Sequence, residues 1–97
     1  MAYQEIDYPT DKTEFYNLLR DQVRVYTSGS PDSIAALANA SAVLAAALTQ
    51  INWVGFYRVQ GDQLILGPFQ GKPAVMQIGR DLGVCGAAWS EKKAQVV

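Results

Sequence analysis

A chain of 97 residues suffices for one small domain and is too short for two. Its 8 basic and 9 acidic side chains leave a net charge of −1, which excludes electrostatic steering onto nucleic acid or an anionic membrane as its main business. With 49% hydrophobic residues it can build a core, which excludes a disordered chain.

Met1-Ala2-Tyr3-Gln4-Glu5 has no basic segment followed by an apolar one, so the opening reads as lacking a secretory signal. Thr10-Asp11-Lys12-Thr13-Glu14 supplies a capping residue and first-turn acid. Phe15, Leu18, Leu19, Gln22 and Tyr26 then share a face, which predicts an amphipathic helix over about 11–28. Ser30-Pro31-Asp32 restarts a helix at once, with serine as cap, proline at the first helical position and a negative charge where the dipole favours it. This second helix spans about 32–49, with Ile34, Leu37, Ser41, Leu44 and Leu48 as its stripe. Its alanines let it pack against both the first helix and a sheet. The apolar stretch from Ile34 to Leu48 is too short for a bilayer core of about 30 Å and carries Asn39 and Ser41.

From Ile51 the sequence turns to β-branched and aromatic residues. It predicts strands over about 51–59 and 63–67 joined by a Gly61-Asp62 hairpin turn. Gly67-Pro68-Phe69-Gln70-Gly71-Lys72-Pro73, with two prolines lacking donors, reads as a loop before a third strand over about 74–78. Gly79-Arg80-Asp81-Leu82 turns the chain into a short helix over about 84–92, and residues 94–97 read as the opening of a fourth strand. Two valines in mid-strand expose a pairing edge, so the expectation is a domain incomplete at its C-terminus. The alternative is a short chain that completes its sheet with another copy.

Cys85 is the single cysteine, and its place at a helix start favours the thiolate, through the dipole and unpaired N–H groups. One cysteine makes no internal disulfide and fits a reducing cytoplasm, while free cysteine is also a common apolar core filler. The chain has no histidine, which removes Ser-His and Cys-His pairs and the usual imidazole ligands, so no metal site is expected. Period two sets Trp53, Gly55 and Tyr57 on one strand face, a slot with aromatic walls and an empty floor that suits a small ligand with a methyl or thioether end. The same pattern also describes plain core with a helix close to the glycine.

Asp32, Leu37-Ala38-Asn39, Ile51-Asn52-Trp53-Val54-Gly55-Phe56-Tyr57, Leu66-Gly67-Pro68-Phe69-Gln70-Gly71-Lys72-Pro73-Ala74 and Gly83-Val84-Cys85-Gly86 recur in order and at compatible spacing. Together they closely resemble the free methionine-(R)-sulfoxide reductases, single GAF-domain enzymes. The resemblance runs from Asp11 onward and matches the N-terminal half to two-thirds of that domain. It implies an α+β, GAF-like fold: residues 1–97 form a partial domain, an antiparallel sheet with two N-terminal helices packed on one face.

It also implies a redox cycle in which a thiolate attacks the sulfoxide sulfur, methionine leaves, and the sulfenic acid condenses with a second cysteine. Thioredoxin then reduces the disulfide, with no bound cofactor. By resemblance Cys85 falls on the second, resolving position, Trp53 and Tyr57 on aromatic positions of the substrate pocket, and the protein is expected to be a homodimer. Two departures stand out: Val75 occupies a position where many members carry a further cysteine, and the loop Gly79-Arg80-Asp81-Leu82 lacks the usual proline. The family's attacking cysteine and the carboxylates that bind the amino group lie in a later segment, so residues 1–97 by themselves are expected to be inactive. The competing function is a non-catalytic GAF module that binds a small molecule or dimerises.

Overall fold

The computed structural model describes residues 3–95. Two helices come first, α1 over Lys12–Thr27 and α2 over Ser33–Ala47, then strands β1 over Trp53–Gln60, β2 over Gln63–Gly71 and β3 over Gln77–Gly79, and finally α3 over Gly83–Glu91. The strands form an antiparallel sheet in the order β1-β2-β3. α2 packs on β1 and β2, and α1 packs on α2.

The first two helices each start where a carboxylate meets the first unpaired N–H groups. Asp11 accepts from the Glu14 amide, and Asp32 accepts from Ile34 and Ala35 at 2.9 and 3.1 Å. The cap of α2 is therefore Asp32 and not Ser30, whose hydroxyl instead accepts from the Asp32 amide. One carboxylate satisfies two helical donors, which a serine hydroxyl does less well. The buried face of α2 also differs from the expected stripe. Ile34 is exposed, and the buried residues are Ala40, Ser41, Val43 and Ala47. Small side chains bring α1 close: Leu19 meets Val43 and Ala47, with Phe15, Val23, Tyr26, Leu44 and Leu48 around them.

The segment expected to be a loop is mostly strand. β2 continues through Gly67, Pro68 and Phe69 to Gly71, paired with β1 on both sides of an interruption at Gly67 and Pro68. The register explains how proline is tolerated: Tyr57 pairs with Leu66 and Gly55 with Phe69, so Phe56 faces both Gly67 and Pro68. This is a β-bulge, and Pro68 sits in it, where a ladder donor is not required. β3 correspondingly begins later than expected, at Gln77, with the Leu66 amide reaching the Met76 carbonyl. Of the expected fourth strand, Ala94 and Gln95 are not extended into a sheet, and Val96 and Val97 lie outside the described residues.

Candidate functional site

β1 presents Trp53 and Tyr57 with their rings stacked, centroids 6.3 Å apart and planes inclined by 25°. The gap expected above Gly55 is filled. Trp53 lays its indole across the glycine and stacks on Phe69 of β2, with centroids 5.5 Å apart at 17°. A Cβ on Gly55 would lie 2.3 Å from Cβ of Phe69 and 2.9 Å from Cη2 of Trp53. The glycine thus admits neighbouring rings and does not floor an open slot. Tyr57, Trp53 and Phe69 form one continuous stack across the hairpin. The sequence reading misses Phe69 because it ends the second strand at Gly67. A glycine facing an aromatic across a hairpin was the available signal.

Two clefts flank this stack. The first, about 260 Å³, is lined by Asn52, Trp53, Lys72 and Pro73. The Trp53 indole nitrogen is buried without an acceptor among the described residues, which costs about 1–3 kcal/mol unless a partner is supplied. The second, about 360 Å³, is lined by Val75, Ile78, Leu82, Val84 and Cys85, among others, and is mostly apolar. The Tyr57 hydroxyl donates to the Val75 carbonyl at 2.8 Å and so ties the ring stack to the wall of the thiol cleft. A further cleft between Tyr3, Tyr26 and Asn39 shares no residue with either and holds no thiol.

Cys85 is the third residue of α3 and is exposed, so it is not a core filler. The first helical bond of α3 runs from the Gly86 amide to the Leu82 carbonyl, leaving the amides of Gly83, Val84 and Cys85 ahead of the helical ladder. Burial, and after it the negative charge that Cys85 can carry, raise the Tyr57 hydroxyl above its ordinary value of 10.0. The structure brings Tyr57 and Cys85 together around Val75 and places Trp53 on the neighbouring cleft.

The turn into α3 carries residues that the sequence reading did not single out as a pair. The Arg80 guanidinium carbon lies 4.4 Å from the centre of the Trp89 ring, and Nη2 of Arg80 is 3.9 Å from Oδ1 of Asp62 at the hairpin tip. Among the described residues no cluster of three or more His, Cys, Asp or Glu is placed to hold a metal ion. No described helix is long and apolar enough to cross a membrane.

Comparison with known proteins gives one consistent neighbourhood. No family model matches the chain. It is 46% identical over 85 residues to the free methionine-R-sulfoxide reductase of Escherichia coli strain K12, covering 88% of this chain and 52% of that protein. A candidate GAF sensor protein from Burkholderia vietnamiensis superposes with a TM-score of 0.87 at 44% identity, over 91% of this chain and 56% of the other. The fRMsr of Staphylococcus aureus in complex with its substrate superposes with a TM-score of 0.81 at 50% identity, over 84% of this chain and 54% of the other. The chain spans about half the length of the curated relatives it matches.

Proposed function

We propose, for a chain that belongs by sequence and by its GAF fold with the free methionine-R-sulfoxide reductases, that it carries the ring-lined portion of a site for free methionine-(R)-sulfoxide. In this reading Trp53 and Tyr57 receive the S-methyl end of the amino acid, and Cys85 is the resolving thiol. An attacking thiolate outside these 97 residues bonds to the sulfoxide sulfur. The oxygen then passes from the substrate sulfur to the attacker as the new sulfur–sulfur bond breaks, so that the substrate sulfur gains the two electrons the thiolate loses, methionine leaves, and a proton completes the sulfenic acid. The Cys85 thiolate then attacks the sulfenic sulfur and expels hydroxide, which is protonated to water as the disulfide forms. A dithiol protein of the thioredoxin kind takes up the disulfide's oxidising equivalents and returns both thiols. The cycle suits a compartment that keeps thiols reduced, such as the cytoplasm. In the same reading the protein works as a homodimer.

The observation that carries this reading is the Tyr57 hydroxyl on the Val75 carbonyl, because it joins the aromatic stack to the cleft holding an exposed thiol. The unpartnered indole N–H of Trp53 supports it, since a sulfoxide oxygen is an acceptor of the kind that donor lacks. A chain with one cysteine cannot close an intramolecular disulfide, so the 97 residues alone are expected to form no methionine catalytically. In the longer protein bearing the attacking thiol, Cys85→Ser should release methionine once and then stall with thioredoxin as reductant. Unchanged steady-state turnover would remove the resolving role. A non-catalytic binding module is the second reading, favoured by the Burkholderia neighbour described as a GAF sensor. It predicts saturable binding with no methionine released.

A further inference from the structure

α3 is lightly held. Its N-cap residue Leu82 makes no side-chain cap, its one buried residue is Gly86, and it packs on β3. The turn leading into it places Asp81 at φ 67° and Gly83 at φ 64°, and residues 79–83 contain no proline. Aspartate in the left-handed region is uphill and persists only where its surroundings hold it. Gly86 allows a flush fit, since a Cβ there would stand 2.9 Å from the Gly79 carbonyl oxygen. That fit has no side chain to lock it.

Arg80 supplies a lock. Its pair with Asp62, whose side chain is 96% exposed, adds little. The stacking of its guanidinium on Trp89 joins the residue at the end of β3 to the far turn of α3. Trp89 follows Cys85 by four residues, so the clamped ring and the thiol share one helix face. Leu82 and Val84, which line the cleft with Cys85, lie on the chain between the two ends of the clamp.

We propose that Arg80 and Trp89 are positioning residues: their cation–π contact holds the far turn of α3 to the turn that follows β3 and thereby sets how Leu82 and Val84 stand beside the exposed Cys85 sulfur. This rests on the reading that Cys85 exchanges disulfides, because a resolving thiol must be presented to one partner sulfur at a time.

The test compares two neutral thiol reagents, small methyl methanethiosulfonate and bulky dipyridyl disulfide, on the unaltered chain and on Arg80→Ala, Arg80→Lys, Trp89→Leu and Trp89→Phe. The ratio of the bulky to the small rate cancels the thiolate fraction and reads access alone. Releasing the clamp should raise this ratio by roughly threefold or more in Arg80→Ala and Trp89→Leu. Arg80→Lys and Trp89→Phe, which keep a cation over a ring, should hold it near the unaltered value. An unchanged ratio in Arg80→Ala, or a rise in Arg80→Lys equal to that in Arg80→Ala, overturns the proposal. Arg80 is about half exposed, so its variants keep the test open if Trp89→Leu fails to fold. Because turnover is not read, loss of the relay role of Cys85 would leave this result intact, and the reverse holds too.

Discussion

Gly55 and Phe69 face each other across the β1–β2 hairpin at a distance that leaves no room for a methyl group: a Cβ on the glycine would come within 2.3 Å of Cβ of Phe69 and 2.9 Å of its Cα. The Phe69 backbone cannot yield to such a contact as a flexible chain end would. Gly55→Ala should therefore separate the strands locally and break the stack of Trp53 on Phe69. The expected loss is about 1–3 kcal/mol, read as a lower urea midpoint together with a diminished near-ultraviolet circular dichroism signal. A midpoint equal to that of the unaltered chain would show that the glycine is not needed for this packing.

Ser41 is fully buried, and its one hydroxyl proton is shared between the Leu37 carbonyl at 2.9 Å and the Pro68 carbonyl at 3.1 Å. The first bond is internal to α2, while the second anchors the bulge of β2 to the helix. Ser41→Ala deprives the Pro68 carbonyl of this donor at a cost of about 1–3 kcal/mol. Because Phe69 follows directly, the variant should also shift the fluorescence of Trp53. Loss of stability with an unaltered spectrum in a Trp89→Phe background would mean that the bulge does not set the ring stack.

The difference between the expected loop and the observed strand at Gly67–Gly71 has a definite physical origin. Local sequence shows that proline cannot donate, but only the register shows that Pro68 falls where no donor is required. Once that strand is cut short, Phe69 has no place opposite Gly55 and the stack cannot be drawn. The helices were more legible, because Asp11 and the Ser30-Pro31-Asp32 run mark their starts through nearby chemistry, although the cap itself falls on Asp32 and not on Ser30. The hairpin turn at Gly61-Asp62 was legible for the same reason. The inward face of α2 was not, since an alanine-rich helix has little asymmetry of hydropathy and its orientation is fixed by what packs on it. In the site, Cys85 and Tyr57 stood out by residue type. Tyr57 reaches the cleft that Cys85 lines through its hydroxyl on the Val75 carbonyl, a bond to the main chain across 18 positions, which side-chain pattern does not encode.

Leu19 is 5% exposed and meets Val43 and Ala47, the centre of the α1–α2 contact. Since α1 packs on α2, this cluster ties the first helix to the rest of the fold. Leu19→Ala should cost about 2–5 kcal/mol, a large share of what a domain of this size possesses. Thermal denaturation followed by circular dichroism should show either a much lower midpoint or no cooperative transition at all. A midpoint within a degree or two of the unaltered chain, given that about 1 kcal/mol moves a domain of this size by about 4–8 °C, would mean that the helices are held elsewhere.

The raised ionisation of Tyr57 makes a prediction about alkaline stability whose sign follows from linkage. Burial, then the charge of Cys85, favours the neutral phenol in the folded chain over its ordinary value of 10.0. The contribution is therefore complete below pH 10.0 and is lost as pH rises through the higher folded value. Ionisation also removes the proton that Tyr57 donates to the Val75 carbonyl, so the thiol cleft should loosen in the same range. Tyr57→Phe lacks both the titration and the bond. Below pH 10 it should be less stable than the unaltered chain, and above that pH the gap should narrow. The part of the alkaline loss due to Tyr8, whose hydroxyl is also raised by burial, remains in both proteins and cancels in the comparison. Urea midpoints taken at intervals from neutral pH upward, with tyrosinate absorbance recorded in parallel, decide the matter. A gap that widens with pH would show that the folded chain favours the charged phenolate, contrary to the burial of this ring.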